Sequence, residues 1–109
     1  MDSRTQRRAE NEVRFRALNE RLRDRAGSLG ENGDMLELVC ECGDEDCAAP
    51  IALTLAEYEG VRTEPADFAV LAAHVAPAVE DVVAGLEACT IVRKRGDAAE
   101  IAAATDPRN

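Results

Sequence analysis

Three of the four cysteines of the chain lie within eight residues, in the segment Cys40-Glu-Cys-Gly-Asp-Glu-Asp-Cys47. On either side, Met35–Cys40 and Pro50–Thr54 are short apolar runs typical of β-strands. The cysteines are therefore predicted to lie at the tip of a β-hairpin. A Cys-x-Cys-Gly turn followed by a third cysteine can place three sulfurs around one zinc ion, at Zn–S distances of about 2.3 Å. Gly43 suits such a turn because glycine adopts positive φ without strain.

A tetrahedral zinc site with three thiolates needs a fourth ligand, and the sequence offers His74 and Cys89. His74 is favoured, because three thiolates and an imidazole carry less negative charge than four thiolates beside the acidic residues 44–46. We also expect His74 to lie just before a helix that begins at Pro77. Cys89 is the alternative fourth ligand, although its place at the start of a predicted strand is also typical of a cysteine that packs as a small buried hydrophobic residue. The predicted metal ligands are Cys40, Cys42, Cys47 and His74, and the predicted cofactor is Zn²⁺.

Outside the cysteine cluster the sequence contains no recognisable catalytic motif, so we predict a protein that is not an enzyme. It has one histidine and neither a Gly-x-Ser-x-Gly elbow nor a His-Glu-x-x-His motif. A thiol-based redox sensor that uses Cys40, Cys42 and Cys47 is the alternative. It is less favoured, because reactive thiols need a lowered pKa and the adjacent acidic residues 44–46 are expected to raise it.

Charge and glycine content together divide the chain into three segments. Residues 1–26 contain eight arginines and five acidic residues, a net charge of +3, whereas residues 27–109 have a net charge of −12. Neither glycine nor proline interrupts Ser3–Arg25, so the basic segment is predicted to be a helical arm. The glycine-rich residues 27–34 predict a flexible joint. Residues 35–109 are predicted to form an acidic zinc-binding domain.

Local signals define the elements of that domain. Besides the hairpin, strands are predicted at 68–71 and 90–93. Thr54 and Glu57 have capping-box spacing, which predicts a helix over 55–61. Two further helices are expected, one from Pro77 to about Leu86 and one capped by Asp97. The predicted fold is α+β: an N-terminal helical arm, then a small domain with a zinc knuckle, a short antiparallel sheet and three short helices.

The apolar residues of the arm, Phe15, Leu18 and Leu22, form a narrow stripe that resembles a coiled-coil seam. Since short isolated helices are marginally stable in water, this helix must pack on its own domain, on a second copy or on a partner. The sequence therefore predicts that a protein partner, or self-association, uses this stripe.

Net charge and the length of the apolar runs argue against several other classes of protein. A net charge of −9 argues against general nucleic-acid binding, which needs a basic surface. No apolar run approaches the roughly 18 residues of a membrane span, and the N-terminus has no apolar signal stretch. We expect a cytoplasmic protein without a membrane segment.

The pattern of Val39-Cys-Glu-Cys-Gly43, Cys47, Leu53–Arg62, Phe68 and His74 resembles a largely uncharacterised group of small bacterial proteins from GC-rich genomes. The likeness covers most of the chain and extends to the Asn-Glu pairs of the arm and to Asp106-Pro-Arg108. It strengthens the prediction of His74 as a ligand but implies no activity. The function predicted from the sequence is a non-enzymatic structural-zinc module for protein interaction, with transcription or stress regulation as its setting.

Overall fold

The computed structural model describes residues 3–28, 35–47 and 49–108. In these ranges the fold is α+β, as predicted, and contains two small antiparallel sheets where the sequence predicted one. The elements in chain order are α1 (Ser3–Ser28), β1 (Met35–Val39), β2 (Pro50–Thr54), α2 (Leu55–Arg62), β3 (Asp67–Val70), a 3-10 turn (Ala72–His74), β4 (Glu80–Gly85), β5 (Thr90–Lys94) and α3 (Gly96–Ala104). Helix α1 extends into the predicted joint, of which residues 29–34 lie outside the described ranges.

The first sheet is the predicted hairpin. Strands β1 and β2 are antiparallel, with Met35 opposite Thr54 and Val39 opposite Pro50. Side chains alternate between the two faces of a strand, and here Leu36, Leu38, Ile51 and Leu53 are buried. The N–H of Cys40 donates to the carbonyl of Ala49, which holds the cysteine loop at the end of the ladder.

The capping box that begins α2 is confirmed. The Glu57 N–H donates to Thr54 Oγ1 at 3.1 Å, and the Thr54 N–H donates to Glu57 Oε1 at 2.8 Å. The cap predicted for α3 is wrong by two residues. The N-cap is Arg95 and has no side-chain hydrogen bond, whereas Asp97 lies in the first turn, where its negative charge favours the helix dipole.

The helix predicted from Pro77 to Leu86 is wrong, because residues 80–85 form strand β4. The second sheet has the order β3-β5-β4, and β4 pairs with β5 from Glu80 opposite Lys94 to Gly85 opposite Thr90. Pairing with a strand that lies later in the sequence outweighs the weak helical signal, and the adjacent β-branched Val82 and Val83 suit a strand. Beyond α1, the described chain therefore has two α-helices and one 3-10 turn instead of three helices.

Helix α1 packs on the body of its own chain, and its most deeply buried side chains there are polar. Arg16 is fully buried and donates to the carbonyls of Pro65, at 2.7 Å, and Ala102, at 2.8 Å. Asn19 bonds both the N–H and the carbonyl of Val39 at 2.9 Å, as a neighbouring strand would. These hydrogen bonds attach α1 to β1, to α3 and to the loop before β3.

The predicted apolar stripe lies at the border of this interface. Leu22 packs against the core, whereas Phe15 and Leu18 are half-buried. None of the described helices is both long enough and apolar enough to cross a bilayer.

Candidate metal centre

The structure brings together the four residues that the sequence predicts as ligands. Cys40, Cys42 and Cys47 come from the loop between β1 and β2, and His74 comes from the 3-10 turn after β3. Their donor atoms all lie within 4.8 Å of one another. Cys89 is not in this group, because it is buried in the hydrophobic core just before β5.

The distances from His74 Nδ1 to two of the three sulfurs agree with a tetrahedral zinc ion. His74 Nδ1 lies 3.6 Å from the Cys40 sulfur and 3.5 Å from the Cys47 sulfur. A tetrahedral ion bonded at about 2.3 Å to sulfur and about 2.05 Å to nitrogen would separate the two donors by about 3.5–3.6 Å. The cluster could therefore bind a metal ion, with Nδ1 as the donor atom of His74.

Local backbone structure folds the cysteine loop back on itself. Gly43 has a φ of +82°, which confirms the positive φ expected of it. The N–H of Cys47 donates to the carbonyl of Asp44 at 2.9 Å, and the N–H of Asp46 donates to Asp44 Oδ1 at 2.9 Å. These turns return the third thiol to the first two.

Glu41 is a buried residue of this site that the sequence analysis missed. It lies between two ligands, and its backbone N–H donates to the carbonyl of Ala69 at 2.9 Å. Its carboxylate accepts from the Ala69 N–H at 2.9 Å and from Asn19 Nδ2 at 2.7 Å. The alternation Cys-Glu-Cys is the available signal, because successive residues of an extended segment point to opposite sides. Glu41 thus fastens the cysteine loop to β3 and α1.

Burial raises the pKa of two thiols of the site, those of Cys40 and Cys42. The pKa of Cys40 is raised to about 12, chiefly by burial, although the Leu71 N–H donates to its sulfur at 3.3 Å and lowers the pKa. Burial also raises the pKa of Cys42. The acidic residues 44–46, which were expected to cause such a shift, are exposed. A bound cation would supply the positive charge that stabilises thiolates in this site.

His74 is placed differently from the prediction. It ends the 3-10 turn, and its N–H donates to the carbonyl of Leu71 at 2.8 Å. The next regular element is strand β4, so no helix start positions the imidazole. The short connection after β3 holds it beside the hairpin tip.

Helix α1 contacts the backbone of the cluster directly. Asn11 Nδ2 donates to the carbonyl of Gly43 at 3.0 Å, and Arg8 Nη2 donates to the carbonyl of His74 at 3.4 Å. A Cβ atom on Gly43 would lie 2.6 Å from the carbonyl oxygen of Arg8 and 2.6 Å from Glu12 Cγ. The helix therefore covers the glycine turn without space for a side chain.

Replacing Gly43 by alanine is expected to destabilise the protein by more than about 2 kcal/mol. Positive φ alone costs a residue with a Cβ about 1–2 kcal/mol, and the backbone of α1 must also move. Gly60→Ala is the control, because Gly60 lies in α2 and its new Cβ would meet nothing within 4 Å. That variant should gain about 0.5–1 kcal/mol. Urea unfolding of both variants measures the difference, and equal stabilities would refute the packing argument.

Neither a protein-family model, nor a curated protein, nor a solved structure gives a significant match to this chain. The resemblance to a bacterial group therefore stays a prediction. Fold and site together define a small α+β protein whose cluster of three cysteines and one histidine could bind a metal ion.

Proposed function

We propose that this protein is a non-enzymatic structural-zinc protein that acts as a small protein-interaction module in the cytoplasm. The observation that carries the proposal is the position of His74 Nδ1, 3.5 Å and 3.6 Å from two thiol sulfurs. Three sulfurs and one imidazole nitrogen form a donor set that suits zinc.

The origin of the ligands supports a structural role. The three cysteines belong to the loop of the β1–β2 sheet, whereas His74 follows β3 of the second sheet. One ion bound by all four residues would cross-link two sheets that share no strand. Four protein ligands complete a tetrahedral coordination and leave no position for a catalytic water.

The state of the cysteines supports a reducing compartment. All four cysteines are free and buried. Protein disulfides are rare in the cytosol, where free thiols persist. The redox-sensor alternative is less well supported, because burial raises the pKa of Cys40 and Cys42 and so lowers the thiolate fraction.

The metal content of the purified protein tests the proposal. Under reducing conditions we expect one zinc ion per chain by elemental analysis. His74→Ala should lose most of the zinc at submicromolar free metal, whereas Cys89→Ala should keep it, because Cys89 lies outside the cluster. A metal-free parent would refute the proposal, whereas a Cys89→Ala variant that loses zinc while His74→Ala retains it would refute His74 as the fourth ligand.

A further inference from the structure

The outer side of α1 presents a row of three exposed arginines, Arg7, Arg14 and Arg21. Seven residues make nearly two helical turns, so the three side chains project from one side of the helix. The row spans about 21 Å at 1.5 Å per residue. We call these three residues the arginine row.

The arginine row is unpaired within the described parts of the chain. Most other basic side chains have an acidic partner, as in the pairs Arg23–Glu59, Arg62–Glu41, Arg93–Asp67, Lys94–Glu80, Arg95–Asp81 and Arg108–Glu20. No described residue forms an ion pair with a member of the row, although acidic residues outnumber basic ones by nine in the whole chain. The positive charge of this surface is therefore available to a partner.

The row borders the apolar stripe of α1. If Phe15 and Leu22 are the a positions of a heptad and Leu18 is the d position, the three arginines are its g positions. The opposite flank, at the e positions, contains Glu12 and Asn19, and both are buried against the body of the protein. Only the g flank of the seam is therefore open to solvent.

We propose that this surface binds an acidic amphipathic helix of another protein. Such a helix would lie along α1, place apolar side chains on Phe15 and Leu18, and direct carboxylates with heptad spacing at the arginine row. This inference rests on the interaction part of the proposed function and does not depend on the metal.

Charge selects this occupant over a second copy of the chain. In a parallel pair the g positions contact the e positions of the partner, but Glu12 and Asn19 are already buried in each copy. In an antiparallel pair the two arginine rows would face each other and repel. A nucleic acid is disfavoured because the chain as a whole carries a charge of −9.

A designed peptide tests the proposal on the full zinc-loaded chain. The probe is a fluorescent helix of about three heptads with leucine at a and d and glutamate at e and g. Fluorescence anisotropy should show binding that weakens between about 50 mM and about 300 mM salt. The double variant Arg14→Gln and Arg21→Gln should bind about tenfold more weakly, the loss of two exposed ion pairs. The control, Arg93→Gln with Arg95→Gln, makes the same change in net charge on β5 and its end, and should differ by less than about twofold.

Several results would overturn the inference. They are equal losses in both double variants, tighter binding of a lysine version of the peptide or of a short DNA duplex, and a homodimer that Leu18→Asp dissociates. Zinc content, measured on the same samples, separates the two proposals. A zinc-loaded chain that does not bind the peptide overturns this inference alone. A zinc-free chain that binds the peptide through Arg14 and Arg21 overturns only the zinc assignment.

Discussion

Replacing Cys40 by serine is expected to abolish most of the stability of the protein. The Cys40 sulfur is fully buried and lies 3.6 Å from His74 Nδ1, so its loss removes one of the four donor atoms of the candidate metal site. Structural zinc contributes an apparent binding free energy of about 10–16 kcal/mol, which rivals the total stability of a domain, about 5–15 kcal/mol. Urea unfolding followed by circular dichroism should show a loss of more than about 5 kcal/mol or no cooperative transition.

Cys89→Ser is the matched control for this experiment. It makes the same substitution at another buried cysteine, which belongs to the core and not to the donor cluster. Its cost should be about 1–3 kcal/mol, the effect of burying a hydroxyl without a good partner. Coincident unfolding curves for Cys40→Ser and Cys89→Ser would show that the metal has no structural role.

Lys94→Met is expected to cost about 3–5 kcal/mol at pH 7, the second largest effect. Lys94 Nζ is buried and pairs with the carboxylates of Glu12, on α1, and Glu80, on β4. Methionine fills a similar volume but leaves two buried carboxylates without a cation. Breaking a buried ion pair on one side is strongly destabilising, because the remaining charge stays desolvated.

The cost of Lys94→Met should depend on pH in a defined direction. The pKa of Glu12 is raised above its ordinary value of 4.5, because the effect of burial exceeds the opposite effect of the positive charge on Lys94. Without Lys94 the pKa of Glu12 in the folded state rises further. A folded-state pKa above the unfolded value gives stability that is present below the unfolded pKa and is lost as the pH rises. The deficit of the variant relative to the parent should therefore shrink as the pH falls from 7 towards 4.5.

Arg93→Met supplies the control at the neighbouring position. Arg93 pairs with Asp67 at 2.8 Å, but its side chain is 49% exposed. Exposed ion pairs contribute about 0.2–1 kcal/mol, so this variant should lose at most about 1 kcal/mol at pH 7. Thermal melts of parent and variants at each pH measure the differences. A Lys94→Met deficit that equals that of Arg93→Met, or that grows towards acid, would contradict the buried triad.

Features that depend on neighbouring residues were predictable from the sequence. The alternation in β1 and β2 and the Thr54–Glu57 capping box involve side chains only a few positions apart. The cysteine spacing likewise predicted a loop with three converging thiols, because the reach of eight residues is short. His74 was predicted as a ligand from coordination chemistry and not from its position, because three thiols need a fourth donor and the chain has one histidine.

Strand β4 was not predictable in the same way. Residues 80–85 become a strand because they pair with β5, whose residues follow later in the chain. Their side chains are mostly exposed, so no alternation of buried and exposed residues marks the strand. A tertiary partner that local periodicity does not show decides the structure of this segment.

The side of α1 that packs on the body of the protein shows most clearly which features depend on local sequence and which depend on tertiary contacts. From the sequence alone, apolar residues were expected to hold the helix, because burial of apolar surface is the general driving force. The structure packs Leu22 against the core but also buries Arg16 and Asn19, since carbonyls of Pro65, Ala102 and Val39 accept their hydrogen bonds. Helix formation and thiol clustering thus follow from neighbours along the chain. Which polar groups can be buried depends on partners distant in sequence, and only the folded chain places those partners within hydrogen-bonding distance.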